Sequence, residues 1–173
     1  MSDLAALAAL AALADRLAIQ DVLCRYARGI DRCDEAVLRA VWWPGAIADY
    51  GSGAGDAGDW SGSVVVALAA MRRTQHFLGN MLIEIDGDRA TAETYCRAYH
   101  EIDGDAGPEE MEVGGRYLDQ LEKRGGEWRI AHRRYVLDWN RNTPSTAAWE
   151  GSLYGGLQRR GARVPDDPSY TGA

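Results

Sequence analysis

Cysteine is scarce in this chain of 173 residues, and so are several other marks of specialised function. Its three cysteines, Cys24, Cys33 and Cys96, are odd in number and never spaced as CxxC. Such a set suits a reducing cytoplasm and gives no basis for a zinc site; each thiol reads as a small apolar filler. An excess of positive charge is also missing. A net charge of −7 and a pI near 4.9 argue against nucleic acid and anionic membrane surfaces as partners. No uninterrupted apolar run is long enough to span a membrane. The opening MSDLAALAALAALADRLAIQ lacks a basic n-region, carries Asp3 early and continues through Asp15 and Arg16, so it reads as helix and not as a targeting segment. The stretch GSGAGDAGDWSG (51–62) lacks the GK[ST] ending of a phosphate loop, which leaves it as a mobile flap or a linker.

What remains is a length that suits one domain enclosing a core and an internal pocket. The 46% hydrophobic and 26% charged content is ordinary for a globular protein. Ile19, Val22, Leu23, Tyr26, Ala27 and Ile30 share one helical face, the clearest element of the chain. The preceding leucines (Leu4, Leu7, Leu10, Leu13) advance by three and drift around that helix, so they are expected to pack on a neighbouring subunit or to fray. Gly29 weakens the last turn. Asp34 is a natural N-cap for a short second helix running through Leu38 and Trp42 and stopped by Pro44 and Gly45. A strand from Ala46 to Tyr50 follows, and Ser63 is expected to cap a third helix reaching about Thr74.

The remainder reads as strands: Phe77 to Asp86, Ala90 to Ile102, Glu112 to Lys123 and Glu127 to Trp139. The turn Asp86-Gly87-Asp88, the polar loop DGDAGPEE and the hairpin signal Arg124-Gly125-Gly126 separate them. Helices first and antiparallel strands afterwards give an α+β class, not a doubly wound sheet. The division expected is a domain over 1–139 with an N-terminal helical extension. A Gly-, Pro- and Arg-rich tail over 140–173 would wrap the surface, cover a pocket mouth or reach a partner subunit.

Alternation puts Ala92, Thr94, Cys96, Ala98, His100 and Ile102 on one strand face and Glu93, Tyr95, Arg97, Tyr99 and Glu101 on the other. The first face, small and less polar, is expected to meet the helices, so that Cys96, Ala98 and His100 leave room for a ligand. In the last strand both faces mix apolar and charged residues, and a bulge there would switch the parity. Alternation alone does not choose between Arg133 and Arg134 as the inward arginine.

Against this frame stands a scattered polar set. Tyr26 and Asp31 end the long helix, Tyr50 closes a short strand, His76 opens a longer one and Arg133 lies in the last. One acid, one imidazole, two phenols and one guanidinium suffice to abstract a proton beside a polarised carbonyl, with no metal or cofactor. Each also has a bland reading: a solvated acid at Asp31, a satisfied histidine at His76, a packing ring at Tyr26 or Tyr50, an ion pair at Arg133. An acid at a helix C-terminus opposes the helix dipole, so Asp31 needs another reason to be there.

The stretches AIQDVLCRYARGIDRCDEAVLRAVWWPGAIADYG, QHFLGN and GEWRIAHRRYVLDW resemble the SnoaL-like branch of the NTF2-like (cystatin-like α+β) superfamily. The resemblance runs from about Leu17 to Trp139. It is nearest to the group of scytalone dehydratase, γ-hexachlorocyclohexane dehydrochlorinase and bile-acid 7α-dehydratase. It implies a cone-shaped curved antiparallel sheet around helices, with an internal pocket, and a cofactor-free lyase assembled as a homotrimer. It further implies His76 as the catalytic base, Asp31 as the carboxylate orienting it, and Tyr26, Tyr50 and Arg133 as pocket groups. The dehydrochlorinase carries a lysine where Tyr26 stands. His100 matches a second pocket histidine. The expected activity is a dehydratase-like elimination from a small hydrophobic cyclic substrate; an isomerase, a polyketide cyclase or a non-catalytic small-molecule binder are the alternatives.

Overall fold

A helix of 30 residues, α1 (Asp3–Arg32), opens the structure, a computed structural model that describes residues 3–171. The face formed by Ile19, Val22, Leu23, Tyr26, Ala27 and Ile30 is buried throughout. Each of its larger aliphatic side chains contributes about 2 kcal/mol on leaving water. Leu4, Leu7, Leu10 and Leu13 are exposed, with Leu17 beyond them. A step of three residues falls about 60° short of a full turn, so the leucine row rotates off the core-facing side. No helix among the described residues is long and apolar enough to cross a membrane.

The chain reverses sharply after α1. Cys33 takes a positive φ of 51°, and Asp34 N–H bonds back to the Gly29 carbonyl at 2.9 Å, closing the helix end. Asp34 then caps α2 (Glu35–Ala40) by accepting from Val37 N–H at 3.0 Å. Gly29 has a packing role: a Cβ there would lie 3.1 Å from the backbone nitrogen of Leu38, so a larger residue would push the two helices slightly apart.

The second helix is shorter than the sequence suggested. It ends at Ala40, and Trp42, Pro44 and Gly45 belong to β1 (Trp42–Asp49). The register of β1 shifts between Trp42 and Ile47, and Gly45 sits at φ +77°; such an irregularity accommodates a proline that a regular strand would reject. The glycine-rich stretch is likewise not a simple loop. It holds β2 (Ala54–Asp56) and the start of α3 (Ala57–Ala69). Asp56, not Ser63, is the cap, accepting from Gly58 and Asp59 N–H, while Ser63 bonds back to the Asp59 carbonyl inside the helix.

Four long strands complete the sheet: β3 (Arg73–Asp86), β4 (Arg89–Gly104), β5 (Gly107–Arg124) and β6 (Glu127–Pro144). The expected polar loop between the second and third of these shrinks to a tight hairpin, with Gly104 already paired to Gly107. Strand order is β2-β1-β6-β5-β4-β3 in one curved sheet. It is not wholly antiparallel, because β1 and β6 run parallel. β2, α3 and the hairpin-linked strands β3, β4 and β5 lie between them in sequence, the long crossover that a parallel neighbour requires.

The β4 alternation appears as expected from Ala92 to His100, all even positions being buried. Glu101 departs from it: it is 2% exposed and pairs with Arg73 at 2.5 Å. In β6 the register slips so that Leu121 faces Ile130 and Gln120 faces His132, leaving Ala131 as the extra residue. That bulge turns Trp128, Ile130 and Arg133 inward together. Beyond β6 the chain holds two short helices, α4 (Ser152–Gly155) and α5 (Pro168–Thr171), and folds back on the end of α1. Arg32 meets Asp167 at 2.7 Å, and Tyr170 OH donates to Asp34 at 2.8 Å.

Candidate active site

Asp31 leaves the last turn of α1 pointing at β3. Its Oδ2 accepts the backbone N–H of His76 at 2.8 Å, and its Oδ1 meets the His76 ring Nδ1 at 2.8 Å. Burial alone pushes the Asp31 carboxyl up. The ring and backbone hydrogen bonds and charge of His76, with Arg32 beyond, more than offset this and hold it below the ordinary aspartate value. The ionised carboxylate only accepts, so Nδ1 carries a proton, and Nε2 is the nitrogen that bears the lone pair in the neutral ring. No hydrogen bond engages Nε2 among the described residues. Both side chains are 10% exposed. A helix-terminal acid that the dipole disfavours is thus repaid by two directed bonds.

His100 stands beside this pair. Its ring lies 5.4 Å from that of His76, edge to face, because Thr74 and His76 occupy the β3 positions opposite His100 and Ala98. Burial first, and the neighbouring His76 second, bring His100 down to about 4. The imidazole is therefore neutral near pH 7. Its Nδ1 is buried without a partner.

Tyr26, Tyr50 and Arg133 form a second group. The two phenols are hydrogen-bonded to each other. Burial raises both: Arg133 and Tyr50 draw Tyr26 part of the way back, while Tyr26 adds to the rise at Tyr50. Both remain protonated; one O–H is committed to their mutual bond, and the other is left to donate. The Arg133 guanidinium lies 3.8 Å from the centre of the Tyr26 ring and 4.0 Å from that of Tyr117. It is the inward arginine; Arg134 is exposed, 3.5 Å from Asp49. Burial opposes the Arg133 charge, but the doubly bonded Asp119 (2.7 Å and 2.7 Å) keeps it firmly protonated. Trp60 stacks on Tyr50 at 4.5 Å, so rings and not open space fill this end of the interior.

Cys96 bridges the groups. Burial raises its thiol, a Tyr117 hydrogen bond and the Arg133 charge lower it, and the Asp31 charge raises it, so it feels both ends of the site. Ala98 is buried opposite His76. Thr94 Oγ1, His100 Nδ1, Arg133 Nη1 and Trp42 Nε1 are all buried without a hydrogen-bond partner. Unfilled polar atoms gathered along one interior are what a polar ligand or ordered water would satisfy. Among the described residues, no group of three or more His, Cys, Asp or Glu side chains is placed to hold a metal ion.

The SnoaL-like domain profile matches residues 11–134. The chain belongs to the SnoaL-like family. An uncharacterized protein of Mycobacterium tuberculosis is 30% identical over 129 residues, covering 71% of this SnoaL-like chain and 85% of its own length. A hexachlorocyclohexane dehydrochlorinase of the LinA type 2 class superposes with a TM-score of 0.72 at 20% identity, over 80% of this chain and 95% of that one. A protein of Novosphingobium aromaticivorans described as a putative scytalone dehydratase gives 0.68 at 19% identity, over 79% and 92%. At these identities the solved structures establish the cystatin-like, NTF2-like fold and nothing finer about this SnoaL-like protein.

Several residues of the site escaped the sequence reading. Asp119 shares the inward face of β5 with Tyr117 and Leu121, and that parity was a usable signal. Arg163 was not foreseeable. It reaches from the tail to donate to the Asp31 carbonyl and to Thr74 Oγ1, across a stretch without periodicity.

Proposed function

We propose that this protein is a cofactor-independent lyase of the dehydratase type, acting on a small hydrophobic cyclic substrate. The observation that carries this reading is the double bond of Asp31 to His76, which fixes the ring and leaves Nε2 as a free base in a nearly buried site. His76 Nε2 removes a proton alpha to the substrate carbonyl, and Asp31 stabilises the imidazolium that forms. The Tyr26–Tyr50 pair donates the one O–H that its mutual bond leaves free to the developing enolate oxygen, with the Arg133 charge behind the Tyr26 ring. The electron pair then expels the leaving hydroxyl as a carbon–carbon double bond forms. The proton on His76 leaves with it as water.

A second reading keeps the residues and changes the outcome. Because His100 is neutral and Arg133 is tied to Asp119, His76 is the proton carrier in this site, and a carrier that returns its proton elsewhere on the substrate is an isomerase. Product analysis on cyclic hydroxy-ketones separates the two, since elimination loses the mass of water and isomerisation conserves it. His76→Ala abolishes either reaction while the circular dichroism spectrum is unchanged; a fully active variant would sink both readings.

Assembly as a homotrimer is part of the same proposal. Phe77, Tyr95, Leu137 and Trp139 expose apolar surface on the outside of the sheet, a feature that self-association would cover. Sedimentation should give three copies of the 18.9 kDa chain, and a monomer counts against it. The free cysteines, with Cys24 exposed, suit a reducing cytoplasm.

A further inference from the structure

Eighteen of the nineteen basic residues are arginine, and six of them line one cleft between the tail and the β3–β4 edge. They are Arg32, Arg72, Arg73, Arg159, Arg160 and Arg163, around a volume of about 760 Å³ with no Asp or Glu in its wall. In a chain of net charge −7 this concentration is out of proportion. Four of the six have acid partners that do not line the cleft: Asp167, Asp103, Glu101 and Glu150. Arg159 and Arg163 have no carboxylate within 4.0 Å among the described residues, and Arg163 is held by neutral oxygens alone. The remaining wall is largely apolar or aromatic: Tyr99, Trp149, Tyr154 and Leu157. Arg73 lies 3.4 Å from the centre of the Trp149 ring, and the Trp149 indole N–H is buried with no acceptor.

We propose that this cleft binds an oxyanion, a phosphoryl or carboxylate group, carried on an apolar ring-bearing molecule. Guanidinium forks match the geometry of such groups, and the aromatic side chains of the wall offer faces on which an attached ring can pack. The wall of the cleft stops short of the dyad but adjoins it at Thr74. Thr74 is part of its wall and bonds Arg163, and His76 lies two residues along the same strand face, about 7 Å away. Resting on the lyase reading, the molecule so held is the substrate. Its anionic end sits among the arginines and its ring reaches past Thr74 toward His76.

The test is calorimetric titration of the full chain with 2-naphthyl phosphate, 2-naphthoate and the neutral 2-naphthalenemethanol, with histidine ring resonances followed by NMR. The two anions should bind at least tenfold more tightly than the neutral probe and shift the His76 signals. The double variant Arg72→Gln/Arg159→Gln removes two exposed side chains of the wall and should weaken the anions at least tenfold, whereas Arg89→Gln, at the far end of β4, should not. Equal affinity for the neutral probe, or no effect of the double variant, overturns the oxyanion cleft and leaves the dyad reading untouched. Anion binding without any shift at His76 overturns the substrate assignment. If the anions bind and His76 responds, yet no elimination or isomerisation is found, the lyase reading falls and the cleft stands.

Discussion

Asp31 grips His76 at two points, one bond to the backbone N–H and one to ring Nδ1, each 2.8 Å. The backbone bond fixes where the residue sits in β3, and the ring bond fixes which nitrogen is free. Asp31→Asn replaces one acceptor by an amide donor and permits the wrong tautomer. Turnover should fall roughly 10³- to 10⁴-fold with the fold retained. Stability gives an independent check. The Asp31 pKa is lower in the folded chain than the roughly 3.9 of an unfolded aspartate, so its contribution is present above about pH 4 and is lost as pH falls through the folded value. Melting curves from about pH 4 downward should show this acid loss in the native protein and less of it in Asp31→Asn.

Tyr26→Phe removes a donor without emptying the ring's place in the core. Loss of one such donor should lower kcat about 10²-fold while costing about 1 kcal/mol of stability. A drop in kcat of about 10²-fold beside only a small shift of the denaturation midpoint would support the assigned role; unchanged kcat would make Tyr26 a packing residue.

His100 titrates near 4, well under its unfolded value of about 6.5. The unfolded chain therefore takes up a proton in that window before the folded chain does, and stability falls as pH drops from 6.5 to 4. By pH 4 this amounts to roughly 3 kcal/mol. His100→Gln should flatten that stretch of the stability profile, read from urea midpoints at successive pH values. An unaltered slope would mean that His100 is not desolvated.

Asp119→Ala leaves the Arg133 charge buried without its partner and should cost roughly 3–5 kcal/mol in a urea titration. Replacing both, as Asp119→Leu with Arg133→Met, should restore much of that stability, since a packed apolar pair carries no desolvation debt. Activity should remain low in the double variant if Arg133 supports the Tyr26 donor. Recovery of full turnover would confine Arg133 to a structural part.

Much of this was legible in the residues themselves. The buried face of α1 and the inward row Ala92 to His100 followed from spacing, because a helix repeats every 3.6 residues and a strand every two. The Asp34 cap followed from its side chain. The start of α3 was missed because glycines in 51–62 mimic a loop, although Asp56 was available to cap a helix there. Alternation failed in β6 for a different reason: the bulge at Ala131 depends on how β5 lies beside it, and no local pattern records that.

The sequence alone determined which side chains were inward on α1 and β4, and therefore which polar residues stood ready for chemistry. Tertiary structure decided which of them meet. Asp31 and His76 are 45 residues apart, Arg133 and Asp119 face each other across two strands, and Arg163 arrives from 132 positions beyond Asp31. The parallel seating of β1 on β6 was settled at the same level. Periodicity is written by neighbours in the chain. Pairings across long separations arise only when burial, sheet register and curvature are satisfied together.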